Sequence, residues 1–465
     1  MSTTTSHPIA VIGAGPVGLA AAAQAATRGL DFVVLEAGDT VAASIGEWAH
    51  VRLFSPWRFD TDPAARTLLE ASGWAAPNPD ELPTGAELIA GYLAPLAAHP
   101  AIAPHIRFGA TVAAVTRQGF DKVRTTARET SPFLIRLADG TELTASAVID
   151  ASGTWRTPNP LGGNGIPAHG EATAYAGGRV FDGMPDVLGR LRSEFAGKSV
   201  AVVGAGHSAT GTLLALAELA ATEPGTTVEW VLRTPNPSRA YGGGDADALP
   251  ARGAIGTRVK ALVAAGKVTV HTGFLVEEVT GRGLVSADGR KIDAAVIVNS
   301  TGARPDHTAA SELRLDLDPI LGSTRTLAPL IDPNKHSCGT VPPHGVDELA
   351  HPEPGFYVIG AKSYGRAPTF LLATGYEQAR SVVAALAGDW AAARDVHLEL
   401  PETGVCSSSA ALGEDDGASC CGSSTASATI DITRGLATGI SGGLATLPLV
   451  QTSATAGATA GGCCG

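Results

Sequence analysis

The sequence predicts an α/β fold with two similar domains, and three observations support this prediction. An apolar strand, a glycine-rich turn and an alanine-rich helix follow one another from Ile9 to Arg28. The same pattern returns between Ser199 and Ala221. After Pro401 the composition turns to Gly, Ala, Ser and Thr, and such a segment cannot bury enough apolar surface to offset its ordering entropy. We therefore expect two Rossmann-like domains with ββα-type sheets, and a disordered C-terminal tail that contains cysteines.

The first strand–turn–helix unit has the spacing of a dinucleotide-binding motif. Gly13 would allow the tight turn, Gly15 the close approach of a pyrophosphate, and Gly18 the packing of helix on strand. Pro16 begins the helix, whose free N–H groups and partial positive charge suit phosphates. A second apolar run ends at Glu36, where a carboxylate would accept hydrogen bonds from ribose hydroxyls. We expect these residues to bind a dinucleotide.

A buried strand later in this first unit also points toward the nucleotide. The apolar run from Ala147 to Asp150 leads into Ser152 and Gly153, and glycine at this point would permit close approach of a cofactor. An ordinary strand followed by a turn is the alternative interpretation.

The second unit repeats the motif with one change of charge. A strand from Ser199 to Val203 leads into a turn and helix whose candidate nucleotide-binding residues are Gly204, Gly206, His207, Ser208 and Ala209. The next strand ends on Arg233, where the first unit has Glu36. A cation here suits the 2′-phosphate of NADP and gives NAD no advantage, although a solvated charge at a strand end is the simpler alternative. The unit closes at Gly302, in a pattern that echoes Ile149 to Gly153.

A late strand and helix are expected to complete the first domain. The strand runs from Phe356 to Ile359 and meets Gly360, and a helix is predicted from Thr369 to Leu386. Its N-terminal residues Thr369, Phe370 and Leu371 would face the electron-rich N1–C2=O edge of a flavin, although a helix that only covers the sheet is an equal alternative. We expect a discontinuous FAD-binding domain (1–160 and 325–395), an NADPH-binding domain (165–320) and a flexible tail (400–465).

Composition excludes several classes of partner. The formal net charge is −12, which argues against nucleic acid, and no basic run suggests an anionic membrane surface. No apolar stretch reaches membrane-spanning length, and the polar start from Met1 to Pro8 leaves no room for a signal peptide. We expect a cytoplasmic protein that acts on a small molecule, and a homodimer is one option that the sequence leaves open.

Residues 9 to about 390 resemble the flavin-containing monooxygenases. The motifs that carry the resemblance are Gly13-x-Gly15-x-x-Gly18 with Glu36, Ile45-Gly46-Glu47-Trp48, Ser152-Gly153-Thr-Trp-Arg-Thr-Pro158, Gly204-x-Gly206-x-Ser208-Ala209 and Ser300-Thr301-Gly302-x-Arg304-Pro305. The resemblance implies FAD in the first domain, NADPH in the second and oxygen chemistry at the flavin. We expect Trp48, Arg52 and Ser55 near the flavin, with Arg52 and Ser55 as candidate catalytic residues. Ser55 stands where the family has an active-site Asn.

The tail carries most of the cysteines, and five of them are candidate metal ligands: Cys406, Cys420, Cys421, Cys463 and Cys464. Vicinal thiolates are soft ligands that suit As(III), Hg(II) or Cu(I). The pattern is similar to that of arsenic metallochaperones and to the redox-active ends of large thioredoxin reductases and mercuric reductases, and flavin-containing monooxygenase-like proteins accompany bacterial arsenic-resistance systems. An incidental tail is the alternative.

Three functions remain open. The first is an NADPH-dependent FAD monooxygenase that transfers oxygen from O2 to a small soft nucleophile, for which an arsenical is one candidate. The second is an NADPH-dependent thiol-disulfide or metal-ion reductase that uses the tail cysteines. The third is a thiol-rich metal(loid)-binding protein that retains a flavin fold.

Overall fold

The computed structural model describes residues 7–242, 250–336 and 341–398. The strands of this part, in chain order, are β1 (Ile9–Ile12), β2 (Phe32–Leu35), β3 (Ile106–Arg107), β4 (Val112–Arg117), β5 (Phe133–Leu137), β6 (Glu142–Ala145), β7 (Ala147–Asp150), β8 (Val180–Asp182), β9 (Ser199–Val203), β10 (Thr227–Val231), β11 (Thr269–His271), β12 (Val276–Thr280), β13 (Gly283–Ser286), β14 (Lys291–Asp293), β15 (Val296–Asn299) and β16 (Phe356–Val358).

The α-helices are α1 (Pro16–Thr27), α2 (Ala43–Glu47), α3 (Pro63–Ala71), α4 (Gly85–Leu88), α5 (Ala94–Ala98), α6 (Glu171–Ala176), α7 (Arg192–Phe195), α8 (His207–Thr222), α9 (Pro250–Ala264), α10 (Ala328–Ile331), α11 (Val346–Leu349), α12 (Leu372–Leu386) and α13 (Trp390–Arg394). A π turn (Ile89–Leu93) joins α4 to α5. No helix in these ranges is both long and apolar enough to span a membrane.

The first sheet is parallel throughout, in the order β16-β7-β1-β2-β3. Strands β2 and β7 are buried along their whole length, which explains why both read as continuous apolar runs. Strand β16 comes from late in the chain and pairs with β7, Phe356 opposite Val148. This pairing supports the proposal that the first domain is discontinuous.

The second sheet repeats this architecture. Its order is β11-β10-β9-β15-β8, and every pairing is again parallel. Each unit also carries a three-stranded antiparallel sheet, β4-β5-β6 in the first and β12-β13-β14 in the second. The α/β class with two Rossmann-like sheets is therefore confirmed. The predicted tail lies outside the described residues.

Helix α1 lies at the centre of the first domain, against α3 and α12. Its alanines from Ala20 to Ala23 are fully buried, and such small side chains let neighbouring helices approach closely. On α12, a Cβ at Gly375 would lie 2.5 Å from Cγ2 of Val17, so glycine is needed where the two helices cross. The crossing holds the N-terminus of α12 beside that of α1.

Candidate active site

The first glycine turn has the geometry that a dinucleotide requires. Gly13 has φ +99°, and a Cβ there would lie 2.9 Å from the carbonyl oxygen of Ala151. A Cβ at Gly18 would lie 2.0 Å from the Gly13 oxygen, so the helix packs directly on the turn. A Cβ at Gly15, in contrast, would meet nothing within 4 Å. The open space at Gly15, at the N-terminus of α1, fits a pyrophosphate group.

Glu36 lies against this turn. Its Oε2 accepts a hydrogen bond from the Ala14 N–H at 2.6 Å, and its Oε1 accepts one from the Gly38 N–H at 2.8 Å. The side chain is buried although it carries a charge, and these N–H groups compensate for the lost hydration. The carboxylate is therefore held beside the open space at Gly15, where ribose hydroxyls would bind.

A buried ion pair beside the turn was missed by the sequence reasoning. The Lys362 Nζ donates to Asp150 Oδ2 at 2.6 Å and to Ser152 Oγ at 3.1 Å, and Ser152 Oγ donates to Asp150 Oδ1 at 2.6 Å. Burial by itself would raise the pKa of Asp150, but the Lys362 ammonium and the Ser152 hydrogen bonds outweigh it and hold that pKa below its usual value. The only local signal was a lysine just after Gly360.

Two glycines keep the backbone close to this pair and to α1. Gly153 has φ +72° with open space around the position of a Cβ, and Gly360 has φ +75° and would place a Cβ 3.4 Å from Val17. Both glycines adopt backbone conformations that other residues rarely take, at the ends of β7 and β16. Cofactor binding at Ser152, Gly153 and Gly360 remains a proposal.

The N-terminus of α12 leaves polar groups unsatisfied. The helix begins at Leu372, so Thr369, Phe370 and Leu371 precede it instead of forming its first turn as predicted. The N-cap residue Leu371 has no side chain that could accept a hydrogen bond from the first N–H groups. The Thr369 hydroxyl is buried and has no hydrogen-bond partner among the described residues. An uncapped helix end beside an unpaired hydroxyl fits an electron-rich ring edge as the missing partner.

The loop from Val51 to Trp57 carries the two candidate catalytic residues, Arg52 and Ser55. Arg52 is exposed, donates to the Leu82 carbonyl and pairs with Glu87 at 3.5 Å. Ser55 has a different partner and donates from Oγ to Asp60 Oδ1 at 2.7 Å. Arg52 and Ser55 thus have separate hydrogen-bond partners, and a catalytic role for either remains a proposal. Asp60 was missed because it lies beyond the motif.

The second glycine turn matches the first. Gly204 has φ +140°, and a Cβ there would lie 2.1 Å from the Ser300 oxygen. Gly206 is the N-cap of α8 and has open space where a Cβ would be, as Gly15 does. His207, Ser208 and Ala209 form the first turn of α8. Gly302, with φ +90°, follows the neighbouring strand β15.

Arg233 follows the end of β10 and is exposed. Inside the same strand, Trp230 is fully buried and donates from Nε1 to the Gly204 carbonyl at 2.8 Å, which ties β10 to the glycine turn. Arg233 therefore follows β10 much as Glu36 follows β2, and pairing of its guanidinium with a phosphate remains a proposal.

Aromatic contacts bring the two units together. The rings of Phe54 and His207 lie 5.2 Å apart, and the Arg252 guanidinium lies 5.9 Å from the Phe54 ring centre. The rings of Trp48 and Trp155 lie 6.4 Å apart. The loop after Glu36 therefore contacts the helix that begins the second nucleotide motif.

Metal binding is not supported by the described part of the chain. No group of three or more His, Cys, Asp or Glu side chains in residues 7–242, 250–336 and 341–398 is arranged to hold a metal ion. The proposed ligands Cys406, Cys420, Cys421, Cys463 and Cys464 lie outside these ranges.

Comparison with known proteins gives the family. Residues 10–338 match the model of the pyridine nucleotide-disulphide oxidoreductase family. An indole-3-pyruvate monooxygenase from rice (Oryza sativa) is 33% identical over 207 residues, which span 43% of this chain and 42% of that protein. The chain thus matches less than half the length of this relative.

Solved structures support the fold. A bacillithiol disulfide reductase from Bacillus cereus has a TM-score of 0.59 at 19% identity, over 83% of this chain and 99% of that chain. A cadaverine monooxygenase from Erwinia amylovora, solved with FAD, has a TM-score of 0.56 at 14% identity, over 85% and 97%. A flavin-containing monooxygenase from Stenotrophomonas maltophilia has a TM-score of 0.51 at 21% identity, over 82% and 99%. The chain belongs to the pyridine nucleotide-disulphide oxidoreductase family.

Proposed function

We propose that this oxidoreductase is a monooxygenase that transfers hydride from NADPH to FAD and then one oxygen atom from O2 to a small soft nucleophile, with an arsenical as one candidate. One observation carries the proposal. The described residues contain no cysteine, so this part of the chain provides no dithiol to take electrons from the flavin. Oxygen reacts directly with reduced flavin and needs no such protein group.

The chain's own residues would hold both cofactors. Glu36 and the open turn at Gly15 would bind the adenosine ribose and pyrophosphate of FAD, and the N-terminus of α12 would stabilise negative charge on the ring. Arg233 would pair with the 2′-phosphate of NADPH. Bound FAD supplies the hydride acceptor and, once reduced, the centre that reacts with O2.

Aromatic side chains would exclude water between the domains. Trp155 donates from Nε1 to Glu47 Oε2 at 2.7 Å and lies beside Trp48, so one indole is fixed by a hydrogen bond and supports the other. Phe54 covers His207 at the next contact along the loop. Exclusion of water by these side chains would favour oxygen transfer over loss of the reactive oxygen to solvent.

Isotope labelling tests this proposal. The full-length protein is incubated with NADPH, ¹⁸O2 and either arsenite or an organic thioether, and the products are analysed by mass spectrometry. The expected product carries one ¹⁸O atom, the second atom leaves as water, and NADPH supplies the two electrons. NADPH oxidation without label in any product would contradict oxygen transfer. Label in the product of the thioether alone would exclude the arsenical as the substrate.

A reductase that uses the tail cysteines is the second candidate function. It is favoured by the path of the last described residues, which run along α12 toward its N-terminus. Arg380 on α12 donates to the Asp395 carbonyl at 2.6 Å, and the His397 N–H donates to Glu377 Oε1 at 2.9 Å. The chain thus runs back along α12 toward the helix end proposed for the flavin. Extended chain spans at most about 3.5 Å per residue, so Cys406 would be within about 30 Å of Leu398.

Full-length variants separate the remaining functions. Replacing Cys406, or the pairs Cys420–Cys421 and Cys463–Cys464, by Ser abolishes NADPH oxidation with a disulfide or Hg(II) under argon if the tail carries electrons. If the tail only binds metal(loid), the same variants lose As(III) affinity without any change in NADPH oxidation. Neither effect is expected if oxygen is the acceptor and the tail is incidental.

A further inference from the structure

The tip of the loop from Val51 to Trp57 is held by one side-chain hydrogen bond. On either side of the tip the backbone is anchored to a neighbouring segment, by Leu53 N–H to the Pro83 carbonyl at 2.8 Å and by Trp57 N–H to the Glu81 carbonyl at 3.0 Å. Between these anchors, Ser55 Oγ donates to Asp60 Oδ1. This bond fixes the part of the loop that carries Phe54.

Phe54 connects the tip of the loop to the second domain through side-chain contacts. Its ring contacts that of His207, the first residue of α8, and the guanidinium of Arg252 on α9. The N–H groups at this end of α8 are those that would bind a pyrophosphate, and Gly206 beside them has open space. Phe54 therefore lies beside the end of α8 that would bind a pyrophosphate.

Asp60 is an unusual partner for Ser55, because it is completely buried. The exposed fraction of its side chain is 0%, and Oδ2 has no hydrogen-bond partner among the described residues. Its carbonyl accepts a hydrogen bond from the Tyr376 hydroxyl on α12 at 2.8 Å, which fixes the backbone. Burying a carboxyl group with one unpaired oxygen costs free energy, so the position of Asp60 calls for a structural or functional explanation.

We propose that Asp60 is a positioning residue for NADPH: through Ser55 it holds Phe54 against His207 and so forms the wall of the phosphate-binding end of α8. This inference rests on the assignment of NADPH to the second domain. Among the described residues, the Asp60 side chain is hydrogen-bonded to Ser55 alone, so it would act on the dinucleotide through the loop.

The strength of the hydrogen bond from Ser55 to Asp60 depends on pH, because Asp60 can ionise. Burial raises the pKa of this carboxyl to about 7, and the hydrogen bond from Ser55 opposes that rise. Other titratable groups nearby are Asp62 and Tyr92, together with Tyr376 and Glu377 on α12, of which Glu377 is paired with Arg380. A carboxylate accepts a hydrogen bond about twice as strong as the one that a neutral carboxyl group accepts. The tip is therefore held firmly above pH 7 and loosens below it.

The test measures NADP⁺ affinity rather than turnover. The dissociation constant of the FAD-loaded, full-length protein is determined by calorimetry at pH 6 and pH 8 for the wild type, Asp60→Asn and Ser55→Ala. Asp62→Asn is the matched control, since Asp62 is also buried but caps α3 through the Ala65 N–H. Titration of the 2′-phosphate is common to all variants and cancels when each is compared with the wild type.

At pH 8 we expect Ser55→Ala, which loses a hydrogen bond to a charged group, to bind NADP⁺ about tenfold more weakly than the wild type. Asp60→Asn keeps a neutral acceptor for the Ser55 hydroxyl, so we expect it to bind about threefold more weakly. At pH 6 the wild type and Asp60→Asn converge, because both then offer a neutral acceptor, and Ser55→Ala stays weaker by the smaller contribution of a neutral hydrogen bond. Asp62→Asn follows the wild type throughout. Equal affinities at pH 8 would overturn the proposal, even if Asp60→Asn alone fails to fold, because Ser55→Ala reports independently. A wild type that binds NAD⁺ but not NADP⁺ would instead overturn the NADPH assignment itself.

Discussion

Replacing Asp60 by asparagine should change how the stability of the protein depends on pH. Burial raises the pKa of Asp60 from 3.8 to about 7, so the folded state binds this proton more tightly than the unfolded state does. The favourable contribution is complete below pH 4 and is lost as pH rises toward 7. Each tenfold change in proton affinity is worth about 1.4 kcal/mol, so the whole loss is about 4 kcal/mol.

The asparagine side chain does not ionise, so the variant escapes this loss. We expect the free energy of unfolding of Asp60→Asn, relative to the wild type, to increase by about 3 kcal/mol between pH 5 and pH 8, since this interval covers most of the rise. Urea titration followed by tryptophan fluorescence gives both values. Asp139→Asn is the control, because backbone and side-chain hydrogen bonds from Thr141 lower the pKa of that exposed carboxyl, and its relative stability should not rise with pH. A pH-independent difference for Asp60→Asn would refute the reasoning.

Three further outcomes follow from local geometry. Gly15→Ala should fold, because its Cβ meets no protein atom, but should lose FAD, because that Cβ occupies the space proposed for the pyrophosphate; the absorbance ratio at 450 and 280 nm measures bound FAD. Gly13→Ala should yield little folded protein, because φ is +99° at this position. Arg233→Ala should raise the KM for NADPH about tenfold and leave that for NADH unchanged, as measured by initial rates. Glu353→Ala should lower the free energy of unfolding, measured in urea, by about 3–5 kcal/mol, because the buried guanidiniums of Arg117 and Arg128 lose their carboxylate partner. The control Glu142→Ala removes an exposed ion pair with Arg136 and should lower it by less than about 1 kcal/mol.

The parts of the site that the sequence predicted are those set by local pattern. The two glycine turns and Glu36 lie within one strand–helix–strand unit each, where spacing along the chain determines position in space. The return of a late strand and helix to the first domain was also expected, whereas the pairing of that strand, β16, with β7 is known only from the structure.

The parts that the sequence did not predict depend on contacts between distant segments. Lys362 and Asp150 are 212 positions apart, and neither carries a motif of its own. Asp60 lies close to the loop, but its burial depends on α12, which closes over it through Tyr376. Thr369 was assigned to the helix from its composition, whereas α12 begins at Leu372, since helix starts are set by cap geometry more than by propensity.

Anaerobic reduction followed by admission of oxygen tests the central claim most directly. The purified protein is titrated with NADPH under argon, and absorbance at 450 nm is followed before and after air-saturated buffer is added. The account predicts that NADPH alone bleaches the flavin, that no disulfide is needed, and that colour returns with one O2 consumed per NADPH. A flavin that stays reduced in oxygen and recovers only with a disulfide or Hg(II) would contradict it.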